Sequence, residues 1–416
     1  MTLPVKIPPV VERWDCHGCG RCCRAVIVAL NDDDVARLRS QHWDQHPDFR
    51  GVRVMVRQGL WKKRYRLALN RQNECVFLTP QKRCRIHELY GEPAKPLLCR
   101  MFPFQLAPLE KFSYVTLRRH CPSAVADLGH TLEEQLGAIR ELAEKQPTAS
   151  QPGGPPAIVP GYRASWQDFL RAMEAMQRFL LDRQFPLVRR LLNGLKFCDL
   201  LEQCRLRKFS GERLADLLVM LETSAKEDAG QLLGAQRRPP GRAAALLFRQ
   251  TLLEYVRLHP KYIIHQSWRE RWRLVTMATS FARGRGRLPH IHPCFPENTF
   301  EAIEEPLGHM AGEVLRPLEA YFEAAAASAQ YAVLSRRQWS LVESFRALAL
   351  SYAVALWMVR LSCASRPPET EDVEGAVGAI DRGQSYAALA GNRHRYRVNS
   401  LTHLGELPGL VAWYAR

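Results

Sequence analysis

The sequence predicts an α+β protein, with a small cysteine-rich metal-binding domain containing short strands and a larger all-α helical domain. Three observations predict this. Eight of the twelve cysteines fall within the first 121 of 416 residues. Short alternating apolar segments are confined to that same stretch. Beyond a proline- and glycine-rich break, apolar residues recur at helical spacing to the end of the chain. The expected organisation is a metal-binding domain over 1–123, a helix and linker over 124–162, and a helical domain over 163–416.

In the first stretch, Asn31-Asp32-Asp33-Asp34 followed by Val35 and Leu38 reads as a helix start. Asn31 can cap it, and the carboxylates sit at the positive end of the helix dipole. An acidic metal site is the competing reading. Residues 52–57 and 65–69 alternate apolar and polar side chains and are separated by Gln58-Gly59, which predicts a hairpin or two neighbouring strands. Residues 131–146 form an amphipathic helix. Pro147, Pro152, Pro155, Pro156 and Pro160, with Gly153 and Gly154, then mark the linker.

The helical part opens on Ser165-x-x-Asp168, a capping-box pattern, with Trp166, Phe169, Leu170 and Met173 forming one apolar face. Ser210 opens a second helix whose stripe is Leu214, Leu217, Leu218 and Leu221. Ser335-x-x-Gln338 opens a third, which leads into an uncharged run from Ala347 to Val359. That run is shorter than the roughly 20 residues of a bilayer span, so it is read as a buried helix and no membrane partner is expected. Seven or eight helices are expected in all.

The formal charge is +17. Residues 1–121 hold 22 Lys and Arg against 11 Asp and Glu, a local +11. Such a balance excludes an acidic, purely solvating chain and suits an anionic partner. The N-terminal residues are broken by prolines and show no signal-peptide core. A cytoplasmic protein is the expectation, and in a reducing compartment clustered cysteines bind metal in preference to forming disulfides.

Cys16-x-x-Cys19-x-x-Cys22-Cys23 is the strongest signal. A two-residue spacer lets two thiolates converge on one ion, and Gly18 and Gly20 permit the torsions of such a knuckle. Side chains of neighbours in extended chain diverge, so Cys22 and Cys23 are not expected to serve one tetrahedral ion together. With Cys75, Cys84, Cys99 and Cys121, the set makes two four-thiolate sites, or one cluster with thiols left over. Thiolates suit structural zinc and a [4Fe–4S] cluster alike. Arg21, Arg24, Arg83, Arg85 and Arg100 each lie within one residue of a cysteine. Their charge is expected to compensate the thiolates.

These residues resemble a known family. Cys16-His17-Gly18-Cys19-Gly20-Arg21-Cys22-Cys23, Cys75-Val76-Phe77-Leu78, Cys84-Arg85-Ile86-His87-Glu88 and Ala94-Lys95-Pro96-Leu97-Leu98-Cys99-Arg100-Met101-Phe102-Pro103-Phe104 are similar in order and spacing to the CxxCxxCC zinc- or iron-chelating family. It is also called the YkgJ cysteine-cluster family and includes the flagellin lysine N-methylases. The resemblance spans about residues 13–123. It implies that Cys16, Cys19, Cys22, Cys23, Cys75, Cys84, Cys99 and Cys121 are metal ligands. Its methylase branch implies an iron–sulfur cluster, S-adenosylmethionine as methyl donor and a protein substrate modified on lysine. No catalytic residue carries over.

Other chemistry is not visible in the sequence. Gly284-Arg285-Gly286 follows a helix, unlike the glycine-rich turn of a Rossmann-like methyltransferase. The CxxxCxxC spacing common in radical enzymes that use S-adenosylmethionine does not match the first run. His290-Ile291-His292-Pro293-Cys294 is read mainly as loop chemistry, with a metal site as the sharper alternative. Residues 257–287 carry eight Lys and Arg against Glu270, a local +7. Trp268 and Trp272 stand there among Arg269, Arg271 and Arg273. Stacking on single-stranded nucleic acid would use such a set. The favoured reading is an amphipathic helix that buries both tryptophans and keeps the arginines wet. Trp61-Lys62-Lys63-Arg64-Tyr65-Arg66 is a second basic and aromatic segment, either a protected strand edge or an anionic contact. Cys198, Cys204 and Cys363 sit in helical apolar patterns as core thiols.

Overall fold

Two three-stranded sheets organise the N-terminal quarter, and helices build the rest. The computed structural model describes residues 3–24, 27–59, 64–146, 153–235, 238–257, 268–289, 296–308, 310–334, 339–363, 366–385 and 391–416. The strands are β1 (Val5–Lys6), β2 (Ala29–Leu30), β3 (Met55–Gln58), β4 (Arg64–Leu67), β5 (Phe104–Pro108) and β6 (Ser113–Leu117). One sheet has the order β1-β6-β5 and the other β2-β4-β3. The predicted hairpin is β3–β4, antiparallel, with Val56 opposite Arg66.

Each sheet has its own small core. Trp43, Phe49, Phe77 and Ile86 pack with Cys75 beside the β2-β4-β3 sheet. Val5, Val115, Leu117, Ile139 and Cys121 pack on the other. Short helices α1 (Asp32–Ser40), α2 (Arg85–Tyr90), α3 (Leu97–Met101), α4 (Pro122–Val125) and α5 (Leu136–Glu144) fill the intervals. Asn31 caps α1 as expected, its side chain accepting from the Asp34 N–H at 2.7 Å. The buried Asp34 carboxylate turns inward and accepts from the Leu97 N–H at 2.9 Å, so it anchors α3.

The larger part comprises α6 (Trp166–Leu181), α7 (Leu187–Gln203), α8 (Gly211–Ala235), α9 (Arg242–Arg257), α10 (Trp268–Arg283), α11 (Phe300–Glu304), α12 (Gly312–Ala327), α13 (Gln330–Val333), α14 (Leu341–Cys363), α15 (Thr370–Ser385), α16 (Asn392–His403) and α17 (Leu407–Tyr414). Ten of these described helices have eight residues or more, against the seven or eight expected. The Pro-flanked segments hide short helices such as α17 from a periodicity count. Ser165 caps α6, accepting from the Asp168 N–H at 3.1 Å. Residues 335–338, expected to open a helix, lie outside the described residues. The cap of α14 is Ser340 with Glu343, which bond reciprocally.

α14 is the centre of the helical core. By length and composition it could cross a membrane, yet 94% of its apolar window is buried inside the protein. It lies against α7, α15, α16 and α17. Gly194 of α7 permits this approach, because a Cβ there would overlap the ring of Phe345. Cys198 and Cys363 are buried core thiols and Cys204 is half-buried, as expected.

The two parts share packing. Leu109 and Val125, from the N-terminal quarter, belong to the same apolar core as α6, α7 and α14. Ile158 is also fully buried in it, held where the Val342 N–H donates to its carbonyl at 3.2 Å. α15 lies on α4, and its Asp381 accepts from Arg118 Nε at 3.2 Å and from the His120 N–H at 3.1 Å.

Candidate metal centre

The first cysteine run turns at Gly20. Its φ of +67° is a left-handed conformation that favours glycine. A Cβ there would meet Leu78 Cδ1 at 2.9 Å and the Lys82 carbonyl at 3.0 Å. Before this turn, residues 14–17 run beside 123–130. The Trp14 N–H donates to the His130 carbonyl at 2.9 Å and the Asp15 N–H to the Leu128 carbonyl at 3.0 Å. After it, residues 21–23 form a 3-10 turn against the 75–84 segment, and the Cys75 N–H donates to the Cys23 carbonyl at 2.7 Å.

That turn corrects one expectation. Cys22 and Cys23 are not in extended chain, and their sulfurs stand 3.9 Å apart.

Cys75 is buried in the core of the β2-β4-β3 lobe, Cys23, Cys84 and Cys99 pack against that core, and Cys22 stands beside Cys23. Cys99 feels the charge of Cys75, Cys84 and Cys22, Cys75 that of Cys84 and Cys22, and Cys84 that of Cys22. Contact with Cys23, and then burial, drives the Cys22 thiol well above its usual range. Burial pushes Cys75 up to about 12 and raises Cys84 and Cys99. Backbone N–H groups of His87 and Ile86 lower the Cys84 thiol, and that of Phe77 lowers Cys75, against the effect of burial. These contacts favour thiolate.

The compensating charge is not where the sequence suggested. Arg24 pairs with Glu74 at 3.1 Å, Arg100 with Glu92 at 2.9 Å, Arg83 with Glu88 at 3.9 Å, and Arg85 with Asp48 and Glu88. These four arginines are committed to carboxylates. Lys95 is the cation that favours the thiolate form of Cys22, Cys84 and Cys99. Its place just before the helix that bears Cys99 was the one available signal.

Cys16 and Cys19 are exposed, while Cys121 is buried on the other sheet's core. Cys121 feels Cys19. The eight cysteines therefore do not meet at one point. Among the described residues no three His, Cys, Asp or Glu side chains close on a common point as a preformed cage. The donors nevertheless fit a soft cation, being thiols grouped by proximity, sheltered and supplied with N–H donors.

On the helical part, the expectation for Trp268 and Trp272 fails. They are 68% and 63% exposed, and Val275 on the same face is 52% exposed. α10 buries Met277 and Phe281 instead, and Phe281 packs edge-on against Phe300 and beside Trp357 in the helical core. Arg269 lies over the Trp268 ring at 6.0 Å. His290–Cys294, Trp61–Lys63 and 258–267 lie outside the described residues.

A sulfur-rich unit carried on two small sheets is the architecture of a metal-chelating domain. Residues 15–122 match the model of the CxxCxxCC family, described as a putative zinc- or iron-chelating domain. The match spans about a quarter of the chain and supports metal binding there. No curated protein and no solved structure matches the chain.

Proposed function

We propose that this protein is a metal–thiolate protein whose principal ligands are Cys22, Cys75, Cys84 and Cys99, with Cys23 beside them and Lys95 as the counter-charge. The packing of Cys23, Cys84 and Cys99 against the core that holds Cys75, with the Cys22 sulfur 3.9 Å from that of Cys23, is the observation that carries this reading. Bound there, zinc or an iron–sulfur cluster would tie the β2-β4-β3 lobe together, and binding energy would be folding energy. The metal itself is tested by elemental analysis and absorption spectroscopy on protein purified without oxygen. Iron with acid-labile sulfide and a broad visible band identifies a cluster. Colourless protein with stoichiometric zinc identifies a structural site. Protein without either metal, and unable to take one up, overturns the proposal.

In the cell such a centre belongs in a reducing, cytoplasmic setting. Similarity to the family extends the proposal to modification of lysine side chains on a protein substrate, with S-adenosylmethionine as donor. Calorimetric binding of S-adenosylmethionine to the metal-loaded protein is its test, and no heat at any metal state argues against it.

A second reading is favoured by one observation, the exposure of Trp268 and Trp272 beside Arg269. It makes α10 a contact for nucleic acid or an acidic protein. Affinity for a single-stranded oligonucleotide or an acidic peptide would then fall steeply with salt and with Trp272→Ala. Unchanged binding in that variant removes this face from consideration.

A further inference from the structure

One stretch of the N-terminal quarter is charged beyond its surroundings. Residues 49–73, which contain β3 and β4, hold eight Lys and Arg and no Asp or Glu. The carboxylates that bracket the stretch, Asp48 and Glu74, are held by Arg85 and Arg24. Arg50, Arg53, Arg64 and Arg71 are exposed, and none of the four has an ion pair among the described residues. The arginines beside the cysteines differ, since Arg24, Arg83, Arg85 and Arg100 each meet a carboxylate. Like charges held together unpaired oppose folding by self-repulsion, so their concentration here points to an anion supplied from outside.

The hairpin presents its cations on both faces. Arg57 stands opposite Tyr65, and Gln58 opposite Arg64. Cross-strand partners share a face and successive residues alternate, so Arg57 and Tyr65 lie on one face, Arg64 and Arg66 on the other. Arg39, in the last turn of α1, sets its guanidinium over the Tyr65 ring at 5.7 Å. Arg66 Nη1 donates to the Leu67 carbonyl at 3.0 Å, which lays that side chain along the strand. β2 pairs with Tyr65 and Arg66 alone. Beyond it the hairpin is a two-stranded ribbon, and its Arg57, Gln58, Gly59 and Arg64 are all exposed.

We propose that the β3–β4 hairpin is a contact for duplex DNA, its ribbon lying in the major groove with the arginines on the flanking phosphates. A major groove about 12 Å wide admits a two-stranded ribbon. Cations on both faces suit a groove, where phosphates rise on either side, whereas a flat anionic surface engages one face. Six of the eight cations are arginines, whose planar fork bonds phosphate oxygens in pairs. An acidic protein would call for an apolar or aromatic anchor at the centre of the contact, and a membrane surface for exposed apolar side chains. The exposed residues described on the ribbon are Arg, Gln and Gly instead. The major groove of an RNA duplex is too narrow to admit it. This contact goes beyond the metal–thiolate reading and depends neither on it nor on α10.

Fluorescence anisotropy of a short labelled DNA duplex, with the full-length protein purified without oxygen, tests this. Wild type should bind at low salt and weaken steeply as salt rises. Arg57→Glu combined with Arg64→Glu should weaken binding about tenfold or more. Arg64→Gln alone should make the log–log salt dependence shallower by about 1, alike for duplexes of different sequence. Arg64→Lys keeps the charge and should retain most of the affinity, which separates a lost contact from a lost fold. Arg163→Glu combined with Arg213→Glu makes the same charge change at exposed positions elsewhere and should leave binding near wild type. No duplex binding by wild type overturns the proposal, and so does an equal loss in that control pair. Tighter binding of single-stranded DNA or of an RNA duplex overturns it too, as does equal competition by polyglutamate or anionic vesicles. Loss confined to Trp272→Ala, with the hairpin variants unaffected, assigns the contact to α10 and overturns this one.

Discussion

The carboxylate of Asp381 stands 3.2 Å from Nε of Arg118 and ties the helical part to the segment that ends in Cys121. The same carboxylate receives the His120 N–H at 3.1 Å, and the contact is almost wholly buried.

A pH dependence follows. Burial alone would raise the Asp381 pKa, but the Arg118 charge and the His120 hydrogen bonds outweigh it and hold it at about 2. An unfolded aspartate titrates near 3.9. The folded value is depressed, so the stabilisation is full above about pH 4 and is lost as pH falls towards 2, an amount of about 2 kcal/mol. Asp381→Asn should be less stable at neutral pH, and its deficit should shrink between pH 4 and 2 in denaturant titrations. A deficit independent of pH would contradict this account.

Gly20→Ala should loosen the turn between Cys19 and Cys22. The added methyl needs a left-handed backbone and meets Leu78 and Lys82. A cost of about 1–3 kcal/mol is expected, with weaker metal retention against a chelator. Gly18→Ala shares the backbone penalty but meets nothing within 4 Å, so it should cost less. Equal effects would mean that packing at Gly20 is unimportant.

In the helical core, Gly194→Ala places a methyl in the ring of Phe345. Helix propensity would gain up to about 1 kcal/mol, and overpacking would cost about 1–3 kcal/mol. Net destabilisation is expected by thermal melting. Adding Phe345→Leu should restore part of it.

Glu323 separates a buried partner from an exposed one. Arg190 Nη1 lies 3.0 Å from it with a side chain 4% exposed, whereas Arg183, at 2.7 Å, is 62% exposed. Arg190→Ala leaves buried charge without its inner partner and should cost about 3–5 kcal/mol. Arg183→Ala should cost about 1 kcal/mol or less, because water screens that pair. Comparable losses in urea unfolding would contradict the contrast.

Trp272→Ala should leave stability within about 0.5 kcal/mol of wild type, as an exposed side chain does. A buried tryptophan would cost about 3–5 kcal/mol. The melting temperature of this one variant decides whether α10 turns its tryptophans to solvent.

Local patterns were legible in the sequence because their physics is local. Asn31 with Asp34, Ser165 with Asp168 and the β3–β4 hairpin each depend on residues close along the chain. Two of the arginines beside the cysteines pair with carboxylates distant along the chain. Arg24 meets Glu74 and Arg85 meets Asp48, across loops that only the fold closes. The tryptophans of α10 misled for a related reason. A helical stripe marks an amphipathic face, but neighbours decide which face is covered, and the helical core covers Met277 and Phe281.

By itself, the sequence determined that the N-terminal quarter is built around thiols and that helices make up the rest. Cysteine spacing and apolar period are properties of the chain alone. Only the tertiary structure decided where the cysteines lie. It turns the chain at Gly20, buries Cys75 and Cys121 in the cores of different sheets, and leaves Cys16 and Cys19 exposed. Ligand grouping depends on distances in space between residues up to about a hundred positions apart, and no spacing along the chain encodes those.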